Sequence, residues 1–136
     1  MEKPRLLLKA KAENIQNVRF INPVPKADVF KYILASDVGA SILKNVETFK
    51  TIYSNKTFDY MSCRKPVLLA IDGVSRELVE KSNCGIYVEP ENTQDIVLGI
   101  KEALARKSEL AGLGNNGYAY AKKHFDRTSL ANQYLE

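Results

Sequence analysis

The chain has few of the side chains that bind metals or act as nucleophiles. Its 136 residues include two cysteines, Cys63 and Cys84, and one histidine, His124. These three stand far apart, so no spacing typical of a zinc site is present. Both cysteines are interpreted as small buried or half-buried residues. His124 is placed at the end of a polar helix, where it interacts with the helix dipole. The sequence therefore predicts no metal site and no cofactor.

Long apolar segments are also absent. No run approaches the roughly 18 apolar residues that a transmembrane helix requires. The apolar run at residues 6–8 is too short for the core of a signal peptide. These absences predict a cytoplasmic protein.

Charge of either sign is dispersed rather than concentrated in blocks. The net charge of +4 and the pI of about 9.0 allow the chain to bind anions. The cations are not interleaved with aromatic side chains as they are in nucleic-acid-binding modules, so no nucleic-acid partner is predicted. A basic surface also suits peripheral contact with anionic lipids, which adds the inner face of the membrane to the expected location.

Length and pattern predict one α/β domain. The chain is long enough to bury an ordinary core, and no repeat or low-complexity segment interrupts it. Short apolar runs alternate with segments of helical periodicity, which is typical of β-α units around a parallel sheet. Strands are predicted at 18–21, 38–42, 67–70 and 85–88. Helices are predicted at 2–14, 26–35, 54–63, 76–81, 92–106, 118–124 and from Asp126 through Tyr134.

Several local patterns sharpen these predictions. Asn92 is expected to cap the helix at 92–106, residues 44–53 are expected to form a loop, and the glycines of 112–117 are expected to break the chain. The inward residues of the first helix are predicted to be Leu6, Leu7 and Ala10. The buried stripe of the helix at 92–106 is predicted to be Ile96, Val97, Ile100 and Leu104.

Residues 54–70 combine a polar helix start, a short amphipathic helix, a basic turn and an apolar strand. A helix N-terminus offers unpaired N–H groups and a partial positive charge, which suit a phosphate. Ser54 and Asn55 can cap the helix, and Lys56 adds a full charge. Asp59 follows about one turn later, where a carboxylate could meet ribose hydroxyls. By themselves these residues favour an ordinary capped helix before a core strand, because most helices begin this way.

The same segment resembles the nucleotide-sugar-binding motif of family-four retaining glycosyltransferases, which have the two-domain GT-B fold. A common form of that motif is [SP]-[NS]-K-x-F-E-Y-M-A-x-G-K-P-V, and residues 54–67 are SNKTFDYMSCRKPV. Further landmarks of the family resemble residues 17–25, 35–39, 85–90 and 114–117 in the same order. The resemblance covers nearly the whole chain. It implies that the chain is the C-terminal, donor-binding, Rossmann-like part of such an enzyme.

The resemblance also implies roles for single residues. Val24 and Pro25 resemble the loop that holds the nucleotide base by backbone contacts. Ser54, Asn55 and Lys56 resemble the residues around the donor diphosphate. Lys56 is the candidate catalytic residue, because a cation there would stabilise the departing diphosphate without a metal.

Two positions depart from the family pattern. Asp59 stands where the family has a glutamate that accepts hydrogen bonds from both ribose hydroxyls, so the charge is kept on a side chain one methylene shorter. Thr51 stands on the donor-sugar side, where many relatives have a second glutamate. The implied partners are a nucleotide-sugar donor, with UDP expected, and a glycan or lipid-linked acceptor in cell-surface polysaccharide synthesis.

Residues 1–136 are thus expected to form a partial C-terminal donor-binding domain, with the N-terminal acceptor domain and the first β-α unit absent. No turnover is expected from this chain alone, because the family's Arg/Lys pair belongs to the missing unit. An uncovered sheet edge would also favour self-association. Two alternatives stay open: a non-catalytic partner subunit of a split glycosyltransferase, and a nucleotide-sugar epimerase of the same fold.

Overall fold

The computed structural model describes residues 2–126. In that range the chain forms three strands and seven α-helices. The strands are β1 (Gly39–Ile42), β2 (Val67–Ala70) and β3 (Gly85–Tyr87). The helices are α1 (Lys3–Ala12), α2 (Lys26–Ala35), α3 (Glu47–Lys50), α4 (Asn55–Ser62), α5 (Val74–Ser82), α6 (Thr93–Ala105) and α7 (Leu110–Phe125), with a single 3-10 turn at Lys107–Glu109.

The three strands form one parallel sheet in the order β1-β2-β3. Val67 of β2 is opposite Gly39 of β1 on one side and Gly85 of β3 on the other. This confirms the α/β prediction with a parallel sheet flanked by helices. The predicted strands at 38–42, 67–70 and 85–88 are also confirmed, although β1 and β3 are each one residue shorter.

The predicted strand at 18–21 is wrong. These residues form no strand, and Val18 and Ile21 are 50% and 55% exposed. Alternating apolar residues become a strand only where a neighbouring strand accepts their hydrogen bonds. Within residues 2–126, β1 is paired on one side only, and no strand beyond it offers residues 18–21 a ladder.

The helix α1 confirms the predicted helix at 2–14 but not its buried face. No residue of α1 is buried, and the inward prediction fails for Leu6 and Leu7, which are exposed, while Ala10 is half-buried. Among the described elements, none packs closely against α1, so its apolar side stays uncovered.

One face of the sheet, here called the closed face, is fully covered by α4, α5 and the second half of α7. Val67, Leu69 and Ile71 lie on it and pack against Met61, Val79 and Cys84. The largest fully buried side chains among residues 2–126, Met61 and Leu69, lie here. Burial on both faces explains why β2 is an unbroken apolar run.

The other face, here called the open face, is covered only in part. Leu68, Ala70, Ile86 and Val88 pack against Ala103 of α6 and against Leu110 and Leu113 of α7. Beside β1 the cover ends, and a groove of about 380 Å³ lies between Ala40 and the apolar side of α6.

The predicted buried stripe of α6 is largely wrong. Ile96 is half-buried, whereas Val97, Ile100 and Leu104 are exposed, the last at 71%. The buried residues of α6 are Gly99 and Ala103. At Gly99 the helix approaches the sheet so closely that a Cβ would lie 2.4 Å from a Val88 side-chain atom. Helical periodicity correctly indicates which side of α6 is apolar. The helix nevertheless contacts the sheet through the small residues Gly99 and Ala103 beside that apolar side.

The predicted break at 112–117 is also wrong, because α7 runs through it without interruption. A Cβ on Gly114 would lie 2.0 Å from the carbonyl oxygen of Arg64, and one on Gly117 would lie 2.9 Å from the Cβ of Cys84. These glycines therefore serve close packing of the helix rather than a turn.

The remaining local predictions have mixed outcomes. The Oδ1 atom of Asn92 accepts a hydrogen bond from the Asp95 N–H at 3.1 Å, which confirms the predicted cap. The helices at 26–35, 54–63 and 76–81 are confirmed as α2, α4 and α5. The predicted loop at 44–53 contains the one-turn helix α3. Apart from Asp126 itself, the helix predicted from Asp126 through Tyr134 lies outside the described residues.

Candidate functional site: the carboxyl edge of the sheet

Two helices begin at the carboxyl edge of the sheet. The chain leaves β1 at Ile42, passes through α3 and enters α4, and it leaves β2 at Ala70 and enters α5. In open parallel sheets this edge is where ligands bind. The predicted site residues within 51–59 lie in the connection from β1 to β2, at the edge where a ligand site is expected.

The N-terminus of α4 is held by hydroxyl groups rather than closed by a cap. Ser54 occupies the N-cap position, but its side chain makes no capping hydrogen bond, and Asn55 is the first helical residue, so the predicted capping by Ser54 and Asn55 is wrong. The Ser54 hydroxyl instead lies 2.9 Å from the Ser41 hydroxyl at the end of β1. The N–H groups of Asn55 and Lys56 accordingly find no acceptor in the described part of the chain and stay available to a ligand.

A second hydroxyl continues this chain of contacts. The Ser54 N–H donates to the Ser75 hydroxyl at 3.3 Å, and that hydroxyl donates to the Ile52 carbonyl oxygen at 3.2 Å. Ser41 and Ser75 are both fully buried. The start of α4 is therefore fixed to β1 and to the first turn of α5, which gives the helix N-terminus a preformed position. Sequence reasoning did not select Ser41 or Ser75.

Lys56 is the second helical residue, and its side chain is exposed. It forms no ion pair with any residue between 2 and 126. The unpaired Lys56 ammonium and the unpaired N–H groups together concentrate positive charge at the N-terminus of α4. Such an arrangement attracts a phosphate or another anion.

Asp59 lies one turn further along α4 and is paired with a residue from another element. Its Oδ2 atom lies 2.5 Å from the Nζ atom of Lys26. Lys26 is the first residue of α2 and directly follows Val24 and Pro25, the predicted base-binding loop. The ion pair thus brings the end of that loop close to Asp59. The sequence analysis did not select Lys26, although Lys26 directly follows the predicted base-binding residue Pro25.

Thr51 lies at the C-terminal end of α3 and is exposed. Its hydroxyl donates to the Thr48 carbonyl oxygen at 3.0 Å, so it is engaged within its own turn. The neighbouring Lys50 backbone packs on Gly73, where a Cβ would lie 2.1 Å from the Lys50 carbonyl oxygen. Gly73 has a φ of 78°, which only glycine adopts without strain. This contact fixes the segment that carries Thr51 against the start of α5.

A charged cluster borders the site beyond the end of β3. The Arg76 guanidinium lies 4.1 Å from the centre of the Tyr87 ring, and it also pairs with Asp72 and Glu80. Burial, followed by the charge of Asp72 and a hydrogen bond with Glu89, raises the pKa of Tyr87 to about 12. Tyr87 is therefore a neutral hydrogen-bonding group at neutral pH.

The described residues include no group of histidine, cysteine and carboxylate side chains that could hold a metal ion. Cys84 is fully buried, and burial raises the pKa of its thiol, so it has the character of a core residue. Between residues 2 and 126, no helix is both long and apolar enough to cross a membrane.

The family comparison identifies the domain to which this edge belongs. The family model described as "Glycosyl transferases group 1" matches residues 1–120, which is most of the chain. The chain belongs to the group 1 glycosyl transferases. No curated protein matches it.

Solved structures support the fold of this glycosyl transferase domain. Sucrose-phosphate synthase (tll1590) from Thermosynechococcus elongatus is 21% identical, with a TM-score of 0.79 over 98% of this chain. Alr3699/HepE from Anabaena, solved in complex with UDP, is 24% identical, with a TM-score of 0.81 over 97% of this chain. The same protein in complex with UDP-glucose is 23% identical, with a TM-score of 0.80.

These neighbours are GT-B glycosyltransferases, and the chain spans only about a third of their length: 33% of the synthase and 35% of HepE. At this level of identity the likeness shows the fold. The roles of Val24, Pro25, Thr51, Ser54, Asn55, Lys56 and Asp59 in this glycosyl transferase domain stay predictions.

Proposed function

We propose that this domain is the donor-binding part of a retaining glycosyltransferase that takes its sugar from a nucleotide-sugar donor, with UDP as the nucleotide. The observation that carries the proposal is the free N-terminus of α4, where the N–H groups of Asn55 and Lys56 and the Lys56 ammonium are all unpaired in the described chain. HepE, a solved neighbour of the same fold, has been crystallised with UDP and with UDP-glucose, which supports the choice of donor.

In this proposal the diphosphate binds at Ser54, Asn55 and Lys56. The helix N-terminus and the ammonium would neutralise the charge that develops on the diphosphate as the glycosidic bond breaks, which is electrostatic catalysis without a metal. Lys56 is the residue we assign to that step. Thr51, at the end of α3, would face the donor sugar.

The nucleoside would lie between the loop and α4. Val24 and Pro25 would contact the base through their backbone, and Asp59 would accept hydrogen bonds from the ribose hydroxyls. The ion pair between Lys26 and Asp59, at 2.5 Å, supports this arrangement because it brings the two segments within reach of one nucleoside.

The acceptor would be a glycan or lipid-linked saccharide in cell-surface polysaccharide synthesis, with transfer in the cytoplasm at the inner face of the membrane. The net charge of +4 agrees with an anionic lipid surface nearby. An acceptor-binding N-terminal domain and a first β-α unit would complete the enzyme, and the partly covered open face beside β1 offers that unit a place. Residues 1–136 by themselves would bind donor without turnover.

Nucleotide titration tests the site. We expect the chain to bind UDP, and Asp59→Ala to weaken that binding by about tenfold to a hundredfold, because a hydrogen bond to a charged group contributes roughly 1.5–3 kcal/mol. Lys56→Ala should weaken UDP more than uridine, which lacks the diphosphate. In an assay of the complete enzyme, Lys56→Ala should lower kcat more than donor affinity.

Asp28→Ala and Lys31→Ala are matched controls. Both residues lie on α2, Lys31 exposed and Asp28 half-buried, and their side chains pair with each other at 2.7 Å rather than with a residue of α4. They should leave UDP affinity unchanged. Unchanged affinity and turnover in both Asp59→Ala and Lys56→Ala would mean that α4 is only a structural helix.

A further inference from the structure

Lys26 and Asp59 form an ion pair unlike the others in residues 2–126. Nine of the ten ion pairs there join residues three or four positions apart on one segment. Lys26 and Asp59 are 33 positions apart and join the first residue of α2 to the second turn of α4. The pair is thus the one ion pair of the described chain that fixes two elements relative to each other.

The two partners are unequally exposed. The Asp59 side chain is 21% exposed, whereas the Lys26 side chain is 64% exposed. The lysine also lies near its own helix, with its Nζ atom 5.4 Å from the centre of the Phe30 ring. An ion pair with an exposed partner adds little to stability. The main effect of this contact is therefore geometric, because it fixes the direction in which the Asp59 carboxylate points.

Only one oxygen of that carboxylate is used. Lys26 contacts Oδ2, and Oδ1 accepts no hydrogen bond from any residue between 2 and 126. An ionised carboxylate has two oxygens that each accept hydrogen bonds. A group that holds one oxygen while the other stays free presents a single, directed acceptor to a ligand.

We propose that Lys26 is a positioning residue for ribose recognition. It holds Oδ2 so that Oδ1 meets the ribose diol of a bound nucleotide, and it ties this acceptor to the loop that ends at Pro25. This role rests on the proposed donor site, and it adds that recognition of the diol depends on a residue outside α4. Loss of Lys26 therefore weakens recognition of the ribose and spares contacts to the diphosphate.

The test compares UDP with 2′,3′-dideoxy-UDP, which lacks both ribose hydroxyls, in NMR titrations of the 136-residue chain. Lys26→Ala should weaken UDP binding by about threefold to tenfold and leave dideoxy-UDP binding unchanged. Lys26→Arg keeps a cation that can reach the carboxylate and should restore most of the preference for UDP. Lys31→Ala removes another exposed α2 lysine and should change neither affinity.

Asp59→Asn separates this role from the donor site itself. If Asp59→Asn reduces the preference for UDP over dideoxy-UDP but Lys26→Ala does not, the positioning role is wrong and the donor site stands. A rise in UDP affinity on Lys26→Ala would make the lysine a competitor for Asp59 and also overturns the role. If Asp59→Asn leaves the preference unchanged, or the unaltered chain binds no UDP, the donor site fails and the role with it.

Discussion

The two faces of the sheet differ although the same strands form both. Successive residues of β2 point to opposite sides, so Val67 and Leu69 enter the closed face while Leu68 and Ala70 enter the open face. All four are buried. Beside β1 the symmetry ends, because Gly39 and Ser41 on the closed face are buried while Ala40 and Ile42 on the open face are exposed.

The closed face is the one that supports the candidate site. Helix α4 rests on it through Met61 and Thr57, which are both fully buried. At its margin the Phe58 ring packs edge-on against Tyr53 and at a tilt against Phe125. The N-terminus of α4 therefore stands on a rigid base. The open face bears no proposed donor residue and has room for a further element. Packing is therefore complete beneath the proposed donor residues of α4 and incomplete on the open face beside β1.

The largest expected effect comes from a cavity on the closed face. Leu69→Ala should lower the free energy of unfolding by roughly 2–5 kcal/mol, since Leu69 has no exposed surface. Ile100→Ala on the open face is the matched control, and with Ile100 at 55% exposed the loss should be under about 1 kcal/mol. Urea denaturation measures both. Equal losses would mean that the open face is covered in solution.

Glycines of α7 give the next effect. Gly114→Ala should lower the free energy of unfolding by about 1–3 kcal/mol, because its Cβ would lie 2.0 Å from the Arg64 carbonyl oxygen and must push backbone apart. Gly112→Ala, in the same helix with open space around it, should instead raise it by about 0.5–1 kcal/mol. Thermal unfolding of the two variants compares them. A stabilised Gly114→Ala would contradict the contact between α7 and Arg64.

The smallest effect concerns association through the open face. The chain should self-associate at high concentration, because β1 has an unpaired edge in the described structure and Ile100 and Leu104 are exposed beside it. Ile100→Lys should lower the association constant by about tenfold, a change of about 1.4 kcal/mol. Leu8→Lys, on the exposed α1, is the control for added charge. Light scattering that finds a monomer at all concentrations would contradict this prediction.

The sequence could predict most residues of the candidate site, because all of them except Val24 and Pro25 lie in the short segment 51–59. Residues 54–59 begin a helix that leads to the apolar strand β2, and helix geometry then places the proposed phosphate-binding N-terminus and the Asp59 carboxylate about one turn apart. What the sequence did not yield is the contact set that fixes the segment. Ser41, Ser75 and Lys26 come from other elements, and their partners are 13, 21 and 33 positions away.

The sequence by itself determined the types of most elements, the parallel character of the sheet and the capped start of α6, since these follow from periodicity or from neighbouring residues. Tertiary structure alone decided the rest. Residues 18–21 form no strand without a ladder partner, α7 passes its glycines because Arg64 and Cys84 pack against them, and α6 turns Gly99 rather than Ile100 to the sheet. In each case the outcome depends on what lies across the contact, and the local pattern of residues does not contain that information.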